Sequence, residues 1–244
     1  MVLTANRYGF LDGLRVLDLA DEKGDFCTKL LADMGARVIK VEKPGGDASR
    51  NRGPFFKDTS RSKNSIPFFY NNTNKLGITL NLEHNEGKSL FSKLVPNTDV
   101  IVETFAPGAL KRMGLNFETL CSLNPKLIWA SVTGFGQNGP RRNFKVSDLV
   151  ASAYGGQMYV CGSPSAPPLK SFGDQSYYAV SLFAATAILL ALRNRAKTGT
   201  GEHLDISLQA SVPATLALVM VRYFAEGIIF QRQEGRLWTD GVVV

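Results

Sequence analysis

The sequence predicts an α/β fold in which a mostly parallel β-sheet is covered by helices on both faces. Short apolar runs that are typical of strands alternate with longer segments whose apolar residues recur at helical spacing. Two of the runs, residues 99–103 and 127–132, have an unbroken apolar centre, as strands buried on both faces do. Glycine and proline separate the segments, so that strand–helix–strand units follow one another.

The first half of the chain begins with a β-α-β unit. Residues 15–19 predict a strand, 25–34 a helix with one apolar face, and 37–42 an alternating strand that ends before Pro44. Residues 45–70 are rich in Gly, Ser, Asn, Arg and Lys and predict a long surface excursion, which in compact domains is usually functional or mobile. Further strands are predicted at 77–80, 99–103 and 127–132, and helices at 84–94 and 117–123.

The second half predicts mostly helices. Residues 148–160 predict a helix that is interrupted at Gly155 and Gly156, and residues 174–195 predict a long helix. Because the long helix is apolar from 178 to 192, we expect it to be buried on most sides. A strand at 203–208, an apolar helix at 209–225 and a tail ending on three valines follow; the tail predicts that the sequence continues in a longer protein.

Composition and charge restrict the class of partner. The chain has 244 residues, of which 44% are hydrophobic and 20% charged, as is ordinary for a globular protein. The formal net charge of +7 favours an anionic partner, but the basic residues are scattered, with small clusters only at 61–63 and 141–145. This dispersion favours a phosphorylated small molecule over a nucleic acid.

The location and the cysteines are also predicted from sequence. The first residues lack the pattern of a secretory signal, and the longest apolar run, residues 179–192, is too short to span a bilayer. We therefore expect a cytoplasmic protein with no membrane association. Cys27, Cys121 and Cys161 are odd in number, far apart and distant from histidines, which disfavours both a disulfide framework and a metal site.

In parallel sheets, ligands bind beyond the carboxyl ends of the strands, so the segments after the predicted strands are candidate site loops. The loop after residue 19 has one glycine where the dinucleotide fingerprint needs three, and the sequence contains no GxxxxGK[ST] phosphate loop. NAD, FAD and ordinary ATP binding are therefore disfavoured. Glycine-bearing turns at the ends of four strands nevertheless favour a binding site there.

Asp174 is the main candidate for chemistry. It follows Gly173 and opens the long apolar helix, where free backbone N–H groups and the helix dipole favour an ionised carboxylate. Such a carboxylate can act as a nucleophile or as a base. On local sequence alone, a purely structural interpretation is favoured, in which Asp174 is the N-cap of the helix.

The order of these motifs resembles the class III CoA-transferase family, also called the CaiB/BaiF family. This family includes CoA-transferases and α-methylacyl-CoA racemases. The resemblance covers nearly the whole chain and rests on several segments at once, which together are very specific. They are LRVLD (14–18), LLADMGARVIKVEKPG (30–45), NK (74–75), VETFAPGALKRMG (102–114), GFGQNGP (134–140), GD (173–174) and TGTG (198–201).

The resemblance implies a Rossmann-like large domain that binds CoA. Residues 1–208 would form an incomplete large domain and residues 209–244 a linking helix and the start of a small domain. Asp174 would attack an acyl-CoA thioester, giving an aspartyl anhydride and then an aspartyl-CoA thioester. The positions that resemble CoA contacts are Lys43, Lys75, Thr104, Phe105, Arg112 and Lys145.

The implied activity is transfer of CoA from an acyl-CoA to a carboxylic acid, with CoA as a substrate and no metal, NAD or FAD. The implied assembly is an interlocked homodimer, or a heterodimer. Two alternatives stay open. A racemase would need a histidine near the start of the helix at 148, where this chain has Ser147. A noncatalytic subunit is permitted by the acidic loop at 21–25, where relatives carry a small apolar stretch.

Overall fold

The computed structural model describes residues 9–58 and 64–232, together with the backbone of residues 238–239 and 242–243. The strands are β1 (Arg15–Leu19), β2 (Arg37–Glu42), β3 (Leu76–Thr79), β4 (Val100–Glu103), β5 (Ile128–Thr133), β6 (His203–Ser207), β7 (Trp238–Thr239) and β8 (Val242–Val243). The helices are α1 (Asp25–Asp33), α2 (Ile66–Asn71), α3 (Asn85–Leu94), α4 (Ala109–Arg112), α5 (Phe117–Cys121), α6 (Asp148–Tyr154), α7 (Gln157–Val160), α8 (Gln175–Thr198), α9 (Leu208–Ser211) and α10 (Ala217–Glu226).

Six of these strands form one parallel sheet in the order β3-β2-β1-β4-β5-β6. The chain moves outward from β1 to β3, then returns to place β4 on the other side of β1. In sheets of this order, the carboxyl ends of the strands beside this reversal form a crevice that binds ligands. The predicted α/β class with a parallel, Rossmann-like sheet is confirmed.

Alternation along the strands builds a core on each face of the sheet. In β1, Val16 packs on one face and Leu17 on the other. The first face is covered by Leu31 of α1 and Ile188 of α8, and the second by Phe91 of α3. Each of these side chains is at most 2% exposed. Helices therefore cover both faces, as predicted.

Helix α8 is buried on one side only. Its buried stripe is Val180, Ala184, Ile188 and Ala191, and its exposed apolar residues are Leu182, Phe183, Leu189 and Leu190. The expectation of burial on most sides is wrong, because α8 lies against α1 and the sheet with one face. The predicted run 179–192 is part of the longer helix α8, and by length and mean hydropathy α8 and the stretch Leu208–Glu226 could each cross a bilayer. The packing of α8 on α1, β5 and β6 is that of a core helix in a globular domain.

Two further predictions need correction. The helix predicted at 209–225 is divided into α9 and α10 by a 3₁₀ turn, Pro213–Leu216, because proline lacks an N–H and cannot continue a helix. The excursion at 45–70 contains α2, whose start is capped by Ser65. The break at Gly155 and Gly156 is confirmed.

Three predictions concern parts of the chain that the structure describes only in part or not at all. Outside the described residues lie the first eight residues, on which the prediction of no secretory signal rests, the basic cluster at 61–63, and most of the tail at 235–244. The division of domains at residue 208 stays a prediction. The three cysteines, all within the described residues, are free thiols.

Candidate active site

Asp174 lies at the position that precedes α8, but its side chain does not cap the helix. Its backbone carbonyl accepts hydrogen bonds from the N–H groups of Tyr177 and Tyr178 at 3.0 and 3.2 Å. The carboxylate makes no capping hydrogen bond and is 37% exposed. Gly173, with φ of 73°, turns the chain sharply through the left-handed region that glycine adopts at low cost. The carboxylate of Asp174 is therefore available for another role.

Arg52 binds this carboxylate. Its Nη2 donates a hydrogen bond to Oδ2 of Asp174 at 3.0 Å, across 122 residues of sequence. The backbone of Arg52 is fixed beside α8, because its N–H donates to Ser49 O at 3.2 Å and its carbonyl accepts from Ser65 Oγ at 2.5 Å. The role of Arg52 was not predicted from the sequence. The only signal was its position in the excursion at 45–70, since no local pattern indicates so distant a partner.

A network at the start of α6 and α8 holds the turn before α8. Lys170 Nζ lies 2.5 Å from Asp148 Oδ2 and also donates to the carbonyl of Gly173. Asp148 Oδ1 accepts from the N–H of Ser176 at 2.8 Å, and the backbone N–H of Asp148 donates to the hydroxyl of Tyr177 at 3.1 Å. Burial raises the pKa of Tyr177 to about 12, so this phenol stays neutral. The network fixes the turn on both sides.

The carboxylate of Asp174 and the guanidinium of Arg52 face a cleft of about 400 Å³, which we call the Asp174 cleft. Its walls are largely aromatic or apolar and include Phe26, Ile66, Phe68, Tyr70, Phe172 and Tyr178. The rings of Phe26 and Tyr178 meet edge to face, with centroids 4.9 Å apart. Such walls reduce the access of water and strengthen charge interactions within the cleft.

A second cleft, of about 680 Å³, lies beyond the carboxyl ends of β1 to β4, and we call it the strand-end cleft. It is lined by Lys43, Thr104 and Phe105, three of the six positions predicted to contact CoA. Thr104 Oγ1 accepts a hydrogen bond from the backbone N–H of Asp21 at 2.9 Å, which ties the exits of β1 and β4 together. The structure thus places these three residues in one cavity at the crevice expected for this sheet.

The turn after β1 separates the two clefts. Asp21 and Lys23 line the strand-end cleft, whereas Glu22, between them, lines the Asp174 cleft. In the 3₁₀ turn Ala48–Asn51, Ala48 likewise lines the strand-end cleft and Ser49 lines the Asp174 cleft. A ligand that occupied both clefts would therefore pass over a wall only a few residues thick.

The other three predicted contacts lie elsewhere. The side chain of Lys75 is 1% exposed, and its Nζ donates to Asp18 Oδ2, to the carbonyl of Asp25 and to Asn72 Oδ1, at 2.9, 2.9 and 2.8 Å. With its three N–H groups used, it has no donor left for a ligand. The remaining two predicted contacts, Arg112 and Lys145, are exposed and line neither cleft.

Buried charges support the wall between the clefts. Lys40 Nζ donates to Asp25 Oδ1 at 2.6 Å and to the carbonyl of Ala20 at 2.7 Å. Burial alone would raise the pKa of Asp18, but Lys40 and Lys75 bring that pKa below its usual value. Burial likewise opposes the charge of Lys40, while Asp18 and Asp25 raise its pKa above the ordinary value. These pairs fix the turn after β1 and the first turn of α1.

Glu103, at the end of β4, is a buried carboxylate that sequence analysis did not select as a site residue. It accepts a hydrogen bond from the backbone N–H of Phe105 at 2.7 Å and so shapes the wall of the strand-end cleft. Burial raises the pKa of Glu103 to about 7. Its signal in the sequence was a lone acidic residue at the carboxyl end of a buried strand.

The geometry of two adjoining clefts at the carboxyl ends of a Rossmann-like sheet can be compared with known proteins. The sequence profile described as CoA-transferase family III matches residues 11–239. The chain belongs to this family. The resemblance read from its motifs is confirmed.

Curated family III relatives have similar sequences. The chain is 38% identical over 222 residues to the acetyl-CoA:oxalate CoA-transferase of Acetobacter aceti, covering 90% of this chain and 56% of that protein. It is also 38% identical over 226 residues to the succinate–glutarate CoA-transferase of Agrobacterium fabrum, covering 91% and 56%. The chain thus spans little more than half the length of these relatives.

Solved structures with the same fold include a member of the CaiB/BaiF family. A CaiB/BaiF family protein from Brucella suis superposes with a TM-score of 0.87 at 35% identity, covering 93% of this chain and 60% of that one. A hypothetical protein from Mycobacterium tuberculosis superposes with a TM-score of 0.80 at 30% identity, covering 90% and 60%. The family III assignment therefore rests on sequence and on fold.

Proposed function

We propose that this chain carries the nucleophile and the CoA-binding cleft of an enzyme that transfers CoA from an acyl-CoA to a small carboxylic acid. The observation that carries the proposal is the carboxylate of Asp174, which lies at the start of α8, does not cap it, and faces a cleft. A side chain needed only for the helix would bond the free N–H groups of the first turn. The names of several relatives, all CoA-transferases, agree with this role.

The reaction begins when an oxygen of Asp174 attacks the carbonyl carbon of the acyl-CoA thioester. The C–S bond breaks, and CoA leaves as a thiolate, giving a mixed anhydride. The thiolate then attacks the aspartyl carbonyl carbon, which releases the first acid as a carboxylate and leaves an aspartyl-CoA thioester. An acceptor carboxylate reverses these steps, so that charge and protons balance over the cycle.

The strand-end cleft is the proposed site for the nucleotide part of CoA. Lys43 and Lys23 supply positive charge for phosphates, and Phe105 supplies an aromatic wall for adenine. The pantetheine arm would cross the wall at Glu22 and bring the thioester to Asp174. The nucleotide and the thioester of one CoA molecule would thus occupy two cavities that adjoin each other.

A racemase is disfavoured by the residue that stands in place of the expected histidine. Ser147 caps α6 by accepting a hydrogen bond from the N–H of Val150 at 3.3 Å, which is a structural role. A hydroxyl of this kind is a poor general base near neutral pH. A second base for proton exchange on a CoA thioester would have to come from elsewhere.

We also propose that the chain assembles with a second copy or with a related subunit. The outer side of α8 and helix α10 expose large apolar residues, among them Leu190, Val221 and Phe224. Large exposed apolar surfaces mark protein interfaces. Two relatives are named as subunits, from Chloroflexus aurantiacus and Thauera aromatica, which keeps a heterodimer open. The exposed carboxylate of Asp174 favours a catalytic subunit over a noncatalytic one.

Asp174→Asn tests the proposed nucleophile. An amide cannot form the anhydride, so we expect turnover to fall by several orders of magnitude while CoA affinity persists. Stability should change by less than about 1 kcal/mol, because the side chain caps nothing and its ion pair is partly exposed. The measurement is CoA transfer by the intact protein, with acetyl-CoA, formyl-CoA or succinyl-CoA as donor and oxalate, glutarate or malate as acceptor.

Glu86→Gln is the control, because Glu86 is an exposed carboxylate of α3 that lines neither cleft. A mass increase on the Asp174 peptide after incubation with an acyl-CoA would identify the adduct directly. Normal turnover by the asparagine variant would show that Asp174 is not the nucleophile.

A further inference from the structure

Arg52 holds the proposed nucleophile through a single hydrogen bond and keeps other donors available. Its guanidinium carries five N–H groups in a planar fork, and Nη2 donates to Oδ2 of Asp174 at 3.0 Å. The other carboxylate close to it in the described part of the chain is Glu22, whose Oε1 lies 4.0 Å from Nη1, beyond hydrogen-bond distance. The guanidinium is partly exposed to the cleft. It can therefore bind a second carboxylate.

Among the described charged residues that line the Asp174 cleft, Arg52 is the one that attracts an anionic acid. Among the described residues of the lining, the charged groups are Arg52 and three carboxylates, those of Glu22, Asp25 and Asp174. Asp25 is already paired with Lys40 at 2.6 Å. An anionic acceptor entering the cleft is repelled by Glu22 and attracted by Arg52.

The covalent chemistry changes the partner of Arg52. In the resting protein, the negative charge of Asp174 neutralises the guanidinium. An aspartyl-CoA thioester has no negative charge on that side chain, so the guanidinium loses its ionic partner when the adduct forms. The remaining partner, Glu22 at 4.0 Å, is partly exposed and compensates weakly.

We propose that Arg52 is the binding group for the reacting carboxylate of the acceptor acid, once Asp174 carries CoA. The inference rests on the proposed function. The guanidinium binds the acceptor through the N–H groups that Asp174 has released, next to the thioester carbonyl. One acceptor oxygen attacks the carbonyl carbon of Asp174, the C–S bond breaks, and CoA leaves as a thiolate.

The cycle then returns Arg52 to its first partner. The thiolate attacks the acceptor's carbonyl carbon in the mixed anhydride, the bond from that carbon to the Asp174 oxygen breaks, and the new acyl-CoA forms. Asp174 leaves as a carboxylate and pairs again with Arg52. No proton is gained or lost, and the guanidinium has a carboxylate partner at the beginning and at the end.

Arg52→Gln and Arg52→Lys test the proposal when loading and discharge are measured separately. The intact protein is loaded from acetyl-CoA, formyl-CoA or succinyl-CoA without acceptor, small molecules are removed, and the CoA adduct on Asp174 is followed by mass. Oxalate, glutarate or malate is then added at increasing concentration. We expect near-normal loading of Arg52→Gln and a half-saturating acceptor concentration raised about tenfold or more, because charge-assisted hydrogen bonds are lost.

Two companion variants sharpen the result. Arg52→Lys should lie between the unsubstituted protein and Arg52→Gln, since an ammonium keeps the charge but not the fork. Glu22→Gln should lower the half-saturating acceptor concentration, because it removes the repelling carboxylate. Arg37→Gln is the control for net charge, since Arg37 is exposed at the amino end of β2, away from both clefts.

Two outcomes would overturn the inference. One is an Arg52→Gln protein that discharges with the same dependence on acceptor concentration as the unsubstituted protein. The other is an Arg52→Gln protein that binds CoA but no longer loads, which would mean that Arg52 acts on the nucleophile alone. Failure of the unsubstituted protein to form any adduct on Asp174 is a separate result and would contradict the proposed function.

Discussion

Replacing Lys75 by methionine distinguishes support of the fold from contact with CoA. The three N–H groups of Lys75 are used inside the protein, and its partner Asp18 is fully buried. Without Lys75, the nearest cation to Asp18 is Lys40, whose Nζ lies 4.0 Å away. Removing one partner of a buried ion pair typically costs about 3–5 kcal/mol, because a charge is left uncompensated. We expect Lys75→Met to lose that much stability.

The assay is urea unfolding together with thermal unfolding of the intact protein. For a domain of this size, each kcal/mol lowers Tm by about 2–4 °C, so the expected shift is about 6–20 °C. Lys43→Met is the matched variant, because Lys43 is an exposed lysine that lines the strand-end cleft. It should keep its Tm and lose CoA affinity, most clearly at low salt. A Lys75→Met protein with normal stability and weakened CoA binding would refute the structural role.

Two further predictions concern pH and assembly. Burial raises the pKa of Glu103 from 4.5 to about 7, so the folded protein retains a proton that the unfolded chain releases between those values. Stability should therefore fall as pH rises through this window, by up to about 3 kcal/mol, and Glu103→Gln should reduce that fall. Urea unfolding at pH 5 and pH 8 measures this fall in stability. If the stability of Glu103→Gln depended on pH as strongly as that of the unsubstituted protein, the prediction would be contradicted. The exposed apolar sides of α8 and α10 predict a dimer or larger assembly, and light scattering that gave a compact monomer at micromolar concentration would count against it.

The alternation of strands and helices was the part of the fold that sequence could predict. Buried parallel strands have apolar centres, and their helices repeat apolar residues at helical spacing, so both signals are local. The positions of β1, β2, β4 and β5 follow these signals closely. The expected crevice at the strand ends follows from topology alone, and Lys43, Thr104 and Phe105 do lie there.

Local sequence could not predict partners that tertiary structure brings together. Lys75 follows a polar stretch and was predicted to contact CoA, yet its side chain is buried because it pairs with Asp18 and Asp25. Arg52 reaches Asp174 across 122 residues, a distance over which periodicity carries no information. The apolar composition of α8 correctly indicated a hydrophobic helix. Composition alone does not indicate which side of the helix packs on the sheet and which side stays exposed.

The order of elements determines when the C-terminal end of α8 is fixed during synthesis on the ribosome. Helix α8 precedes the edge strand β6, which pairs with β5 from Trp129↔His203 to Thr133↔Ser207. The far end of α8 is held by Arg195, whose Nη2 lies 2.9 Å from Asp99 Oδ1, and by the N–H of Gly201, which donates to Pro125 O at 2.8 Å. These contacts form only after the residues that follow Asp174 have left the exit tunnel. We therefore expect the C-terminal end of α8 to be unfixed in a nascent chain that has just exposed Asp174, and to become fixed only as β6 joins the sheet.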